Sequence, residues 1–183
     1  MSEAADSPTR VLDFWFKELR PRQWFRRDAQ VDAAIRERFL ALHARAAAGE
    51  LWCWRASDEG RLAEIIVLDQ FSRNLFRDDP RAWQQDPLAL ILAQEAIDRK
   101  CDQRLALHHR PFVYMPLMHS ESLTMQQHAL RLFDQPGLER HLPDARRHCE
   151  VIRRFGRFPW RNAVLGRATR DDEQTFLTAP GER

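Results

Sequence analysis

Five polar residues between positions 69 and 77 are the first candidates for chemistry: Asp69, Gln70, Arg73, Asn74 and Arg77. At about 100° per residue they share one stripe of a helix. The stripe interrupts the segment LAEIIVLDQFSRNLFRDDP (62–80), whose Leu62, Ile65, Ile66, Val67, Leu68, Phe71, Leu75 and Phe76 point in every direction. A helix that is apolar all round is a buried one. Polar groups on such a helix are costly unless paired, so these residues either satisfy each other or line a pocket. Arg73 has Asp69 one turn before it. Arg77 has no acid four residues before it, which suits an anion taken from solution.

Two later segments carry the same anomaly. Pro116 is read as opening a helix to about Phe133, with Met118, Met125, Ala129, Leu130 and Phe133 on its apolar face. His119, Ser122 and Gln126 fall on or beside that face. A helix opened by Pro143 buries Ala145, Cys149, Ile152 and Phe155, with His148 in their midst and Arg146, Arg153 and Arg157 on a separate stripe. Imidazole is the side chain that moves protons near neutrality. Any one buried histidine reads as a satisfied core group. Polar groups on three buried faces are expected to meet at a shared centre, either a structural network or a pocket. In the pocket reading, Asp69, Gln70, Arg73, Asn74, Arg77, Ser122, Gln126 and Arg157 hold the ligand, and His119 and His148 are the catalytic candidates.

Other chemistries find less. His119 and Glu121 diverge by about 200° on a helix, so they cannot share a metal there. There is no HExxH and no Cys/His cluster, which leaves Asp69, His119 and His148 from separate segments as the remaining metal arrangement. No metal and no cofactor are expected. Ser72 and Ser122 lie outside any GxSxG, and glycine-rich phosphate loops are absent.

Helix signals run the length of the chain. Ser7-Pro8 opens a short helix through VLDFWFKEL that ends before Pro21, and Trp24-Phe25 reads as an apolar plug in a loop. Asp28 caps a long helix to Ala48, closed by Gly49, with Val31, Ile35, Phe39, Leu42 and Ala46 on one face. Ser57 caps the central helix. Asp79-Pro80 and Asp86-Pro87 each read as an N-cap acid followed by proline, the second opening a helix to Lys100. Residues 101–111 read as irregular. Gly156 stops the helix from Pro143, Phe158-Pro159-Trp160 reads as extended, and Thr169 with Asp172 resembles a capping box for a last helix to Leu177. No period-two alternation suggests a sheet. The expectation is an all-α chain of roughly seven to nine helices, one compact domain over 1–183 with loose tails at 1–6 and 179–183.

Composition narrows the class. The 183 residues are 44% hydrophobic and 31% charged, with 29 basic residues against 27 acidic ones. That is ordinary globular material, and a net charge of +2 does not suggest a nucleic-acid binder. Residues 146–170 nevertheless hold eight arginines against the single acid Glu150. No apolar run is long enough to span a membrane. The acidic N-terminus lacks a signal-peptide pattern, and three isolated cysteines (Cys53, Cys101, Cys149) fit buried thiols in a reducing cytoplasm.

Four stretches together resemble a known family: VLDFWF (11–16), LAEIIVLDQFSRNLFRDDPRAW (62–83), FVYMPLMHSESLTMQ (112–126), and HCEVIRRFGRFPWRN with the LGR that follows (148–167). The combination of LDQFSRN, YMPLMHSE and RFGRFP is similar to bacterial domain-of-unknown-function family number 924. The resemblance implies an all-helical, tetratricopeptide-repeat-like fold and a cytoplasmic location, with no assigned activity or catalytic residue. The family usually reads FPHRN where this chain has Phe158-Pro159-Trp160-Arg161-Asn162, which argues against position 160 as an essential base.

The resulting expectation is a buried polar pocket that binds, and in one version turns over, a small anionic ligand. The alternative is a tetratricopeptide-like module that holds a protein or peptide partner, with Arg157 and Arg161 clamping acidic groups.

Overall fold

In the computed structural model, which describes residues 6–179, every regular element is helical and there is no strand. The α-helical stretches are α1 (Pro8–Asp13), α2 (Ala29–Ala47), α3 (Asp58–Ile66), α4 (Ser72–Leu75), α5 (Arg81–Gln84), α6 (Asp86–Asp98), α7 (Cys101–Arg104), α8 (Arg110–Met118), α9 (Leu123–Phe133), α10 (Leu142–Phe155) and α11 (Asp171–Thr178). Eight of these have six residues or more.

The caps sit where local chemistry puts them. Ser7 Oγ accepts from the Arg10 N–H, Asp28 from Gln30 and Val31, and Ser57 from Gly60. Gly156 ends α10 at φ +72°, in the left-handed region that glycine enters without a Cβ clash.

The middle of the molecule is the rod formed by α3, a π-helical turn (Val67–Phe71) and α4. Leu62, Ala63, Ile65, Ile66, Val67, Leu68 and Phe71 are fully inaccessible. Helices α1, α2, α6 and α8 surround the rod, so its all-round apolar pattern is matched by neighbours on every side. A π-turn spoils the usual i→i−4 ladder, and side chains take up the spare acceptors. The Ser72 hydroxyl donates to the Leu68 carbonyl at 2.5 Å, and Arg73 Nη1 to that of Asp69 at 2.6 Å.

Several local expectations are corrected. Pro116 lies inside α8, which begins at Arg110 with Pro111 in its first turn. The chain then breaks after Met118 and restarts as α9 at Leu123, so 117–133 is not one helix. Full burial of α8 from Pro111 to Met118 offsets the cost of the interior proline. Asp79 does cap locally, accepting from the Arg81 N–H at 2.9 Å, but Asp86 enters the first turn of α6 and its carboxylate turns elsewhere. Helix α11 is capped by Glu173, which accepts from the Arg170 N–H at 2.8 Å, rather than by Thr169 and Asp172. Residues 101–104 form α7, and Phe158 is extended while Pro159–Arg161 make a 3-10 turn. Phe25 is exposed, as is Cys53, while Cys101 and Cys149 are buried and all three thiols are free. The tail expectation falls largely on residues 1–5 and 180–183, outside the described residues. Asp6 itself accepts from Arg45 at 2.8 Å and is tied down.

Buried histidine makes the fold acid-sensitive. His43 is buried and its Nε2 lies 2.7 Å from Ser72 Oγ. Because that hydroxyl already donates to Leu68, it accepts from the ring N–H. Burial pushes His43 down from 6.5 to about 4. Burial, foremost, does the same to His148. Both groups protonate more readily when unfolded, so their contribution is complete above pH 6.5 and is lost as pH falls toward about 4. The melting midpoint should drop across that window, and His43→Gln should flatten the slope. An unchanged slope in His43→Gln would show that His43 titrates normally in the fold.

Candidate functional site

The polar stripe of the central rod opens into a cavity of about 380 Å³ between the rod, α8, α10 and the 24–27 loop. Gln70, Arg73, Asn74, Arg77, His119 and His148 all line it, from three separate elements. Asp69, Ser122, Gln126 and Arg157 do not. Ser122 is exposed ahead of α9, and buried Gln126 ties the α8–α9 break together by donating to the carbonyls of Met118 at 2.7 Å and Ser120 at 2.6 Å.

Behind the lining, the fully buried Asp69 accepts from His119 Nδ1 at 2.8 Å. A carboxylate can only accept, so the proton sits on Nδ1 and the Nε2 lone pair is left for the cavity. Asp69 also meets Arg73 at 3.0 Å and accepts from Gln70 at 2.5 Å. Burial would raise the Asp69 carboxyl, but the charge of Arg73 and the hydrogen bonds from His119 and Gln70 outweigh it and hold the group ionised. On the facing helix, His148 Nδ1 donates to the Asp144 carbonyl at 2.9 Å, and its ring centroid lies 6.5 Å from that of His119. Two imidazoles thus present free lone pairs about the same space.

His119 is fixed by a closed ring of charge. Arg73 continues from Asp69 to Asp86 at 3.0 Å, and Asp86 to Arg161 at 3.0 Å. Arg161 returns to the His119 carbonyl at 3.0 Å. Two carboxylates and two guanidinium groups neutralise one another there, and the Arg161 guanidinium also lies over the Trp83 and Phe158 rings. A second, mostly apolar cleft of about 590 Å³ lies across this ring, lined by Trp83, Asp86, Leu90, Arg161 and Leu165, and His119 borders both spaces.

Two arginine expectations are overturned. Arg77 is not unpartnered: it makes a bidentate pair with Asp32 of α2, which also accepts from Asn74 at 2.8 Å. Arg157 faces Glu173 at 2.6 and 2.7 Å. That pair holds Glu173 down at about 2, its hydrogen bond from Arg157 being the main cause. In the arginine-rich 146–170 segment, Arg147, Arg153, Arg157, Arg161, Arg167 and Arg170 are each paired with a carboxylate in the same way. Neither the Arg77–Asp32 pair nor the Arg161–Asp86 pair leaves a local signal, because the partners are 45 and 75 residues apart. Trp160 stacks on Phe158 at 4.8 Å and meets the edge of His148 at 5.8 Å, so this position borders the histidine pair.

Among the described residues, no three His, Cys, Asp or Glu side chains are grouped so as to hold a metal ion. Asp69, His119 and His148 therefore form no such group. No helix among them is long and apolar enough to cross a membrane.

Residues 11–181 match the family described as bacterial protein of unknown function (DUF924). The chain belongs to that family. Among solved structures it is similar to a protein of unknown function, ATU0120 from Agrobacterium tumefaciens, at 40% identity and a TM-score of 0.89. The match covers 93% of this chain and 96% of the other. Comparison with curated proteins finds no match.

Proposed function

We propose that the cavity binds a small anionic molecule, a carboxylate or phosphate, and that His119 exchanges a proton with it. The observation that carries the reading is the Asp69–His119 pair, in which buried Asp69 orients the ring of His119 in the lining of a cavity that also includes Arg26, Arg27, Arg73, Arg77 and Arg147. A buried carboxylate that orients an imidazole leaves the second ring nitrogen as a general base. Asp144 is the one acid in that lining. Four of the arginines have carboxylate partners, Asp78, Asp69, Asp32 and Asp144, whereas Arg26 has none among the described residues. The anion would meet Arg26 and the unused donors of the others.

The peptide-module alternative loses its proposed clamp, since Arg157 is held by Glu173 and Arg161 is buried against Asp86.

Inorganic phosphate and small carboxylates should raise the melting midpoint. A ligand at a hundred times its Kd adds about 2.7 kcal/mol, a shift of roughly 5–10 °C at this chain length. Arg26→Gln and Arg147→Gln should fold normally and lose most of the shift. A midpoint that moves no more than with chloride would mean that the polar centre is structural.

A further inference from the structure

The 24–27 loop adds an aromatic surface to the cavity. Six large apolar side chains are exposed among the described residues: Phe25, Leu40, Trp52, Ile91, Leu107 and Leu123. Of these, Phe25 alone lines the arginine cavity, and it is 57% exposed there. Its orientation is set by aromatic neighbours. The ring lies within 5° of parallel to Phe112 at 6.3 Å and edge-on to both Trp24 at 6.1 Å and His141 at 6.2 Å. Arg26 and Arg27 follow it directly, and Met115 and Met118 add apolar wall. An aromatic ring whose plane is fixed while much of its surface stays open is a platform for another ring.

Resting on the anion reading above, we infer that the bound molecule is an aromatic anion: a planar ring stacked on Phe25 with its carboxylate or phosphate among the arginines. A space of about 380 Å³ holds one or two fused rings with such a group. That arrangement would place the anionic end toward His119 and the ring toward the mouth.

The test compares phenyl phosphate, cyclohexyl phosphate and inorganic phosphate by calorimetric titration of the full chain, with benzoate and cyclohexanecarboxylate as the carboxylate arm. Wild type should bind the aryl member at least about tenfold more tightly than its cyclohexyl match, since the two differ in planarity and π-face rather than charge. Phe25→Leu, at an exposed position, should keep inorganic phosphate affinity and lose most of the aryl preference. Equal affinity for aryl and cyclohexyl anions, or an aryl preference that survives Phe25→Leu, overturns the aromatic inference while leaving anion binding in place. Failure of every phosphate and carboxylate to bind overturns the anion reading and this one with it.

Discussion

Ile65→Asp and Leu68→Asp are each expected to leave the protein unfolded at room temperature. Both side chains are fully inaccessible, and the rod that carries them touches α1, α2, α6 and α8. The change removes a large apolar group, worth about 2–5 kcal/mol in a core. It also puts a carboxyl where no partner exists, adding several kcal/mol whether the group stays charged or takes up a proton. The sum approaches the roughly 5–15 kcal/mol that holds an ordinary domain together. Circular dichroism at 25 °C would decide it. Near-native helicity and cooperative melting in both variants would mean that the rod is not the core.

Asp69→Asn should cost roughly 3–5 kcal/mol, the usual penalty for breaking a buried charge pair from one side. The amide keeps the volume and can still accept from His119 Nδ1. What is lost is the charge facing Arg73, which leaves Arg73 and Arg161 to share Asp86 alone. A chain of this length should melt roughly 6–20 °C lower. The exposed Arg27–Asp78 pair is the natural control, because Asp78→Asn removes a carboxylate that water and salt already screen. Similar midpoints for wild type and Asp69→Asn would show that the ring around His119 carries little energy.

Much of this was legible in the residues. Side-chain caps act within three residues of their targets, so Ser7, Asp28 and Ser57 could be read directly. The rod's burial followed from apolar residues on every face, and the polar stripe did open into a cavity. The break between α8 and α9 is hidden in the sequence because Pro116 has the local look of a helix start. Pro111 takes that role instead, and tertiary packing absorbs Pro116. The π-turn left no sequence signal. Charge partners were the larger loss. Arg77 has no acid one turn before it on its own helix, and its partner Asp32 arrives from α2. Asp86 looked like a cap because Asp-Pro has that local meaning, yet its carboxylate completes a ring with Arg73 and Arg161. Ion pairs between distant segments are properties of the fold, and a helical wheel cannot show them.

The most direct test of the site is nitrogen-15 NMR of the histidine side chains during titration with inorganic phosphate at constant ionic strength. His119 should show the Nδ1–H tautomer that Asp69 imposes, and His148 should be neutral at pH 7. Phosphate should move both signals along one saturable curve, while His43, buried against Ser72, stays still. Signals of His119 and His148 that ignore phosphate and small carboxylates alike would contradict the account and make the polar centre a structural network.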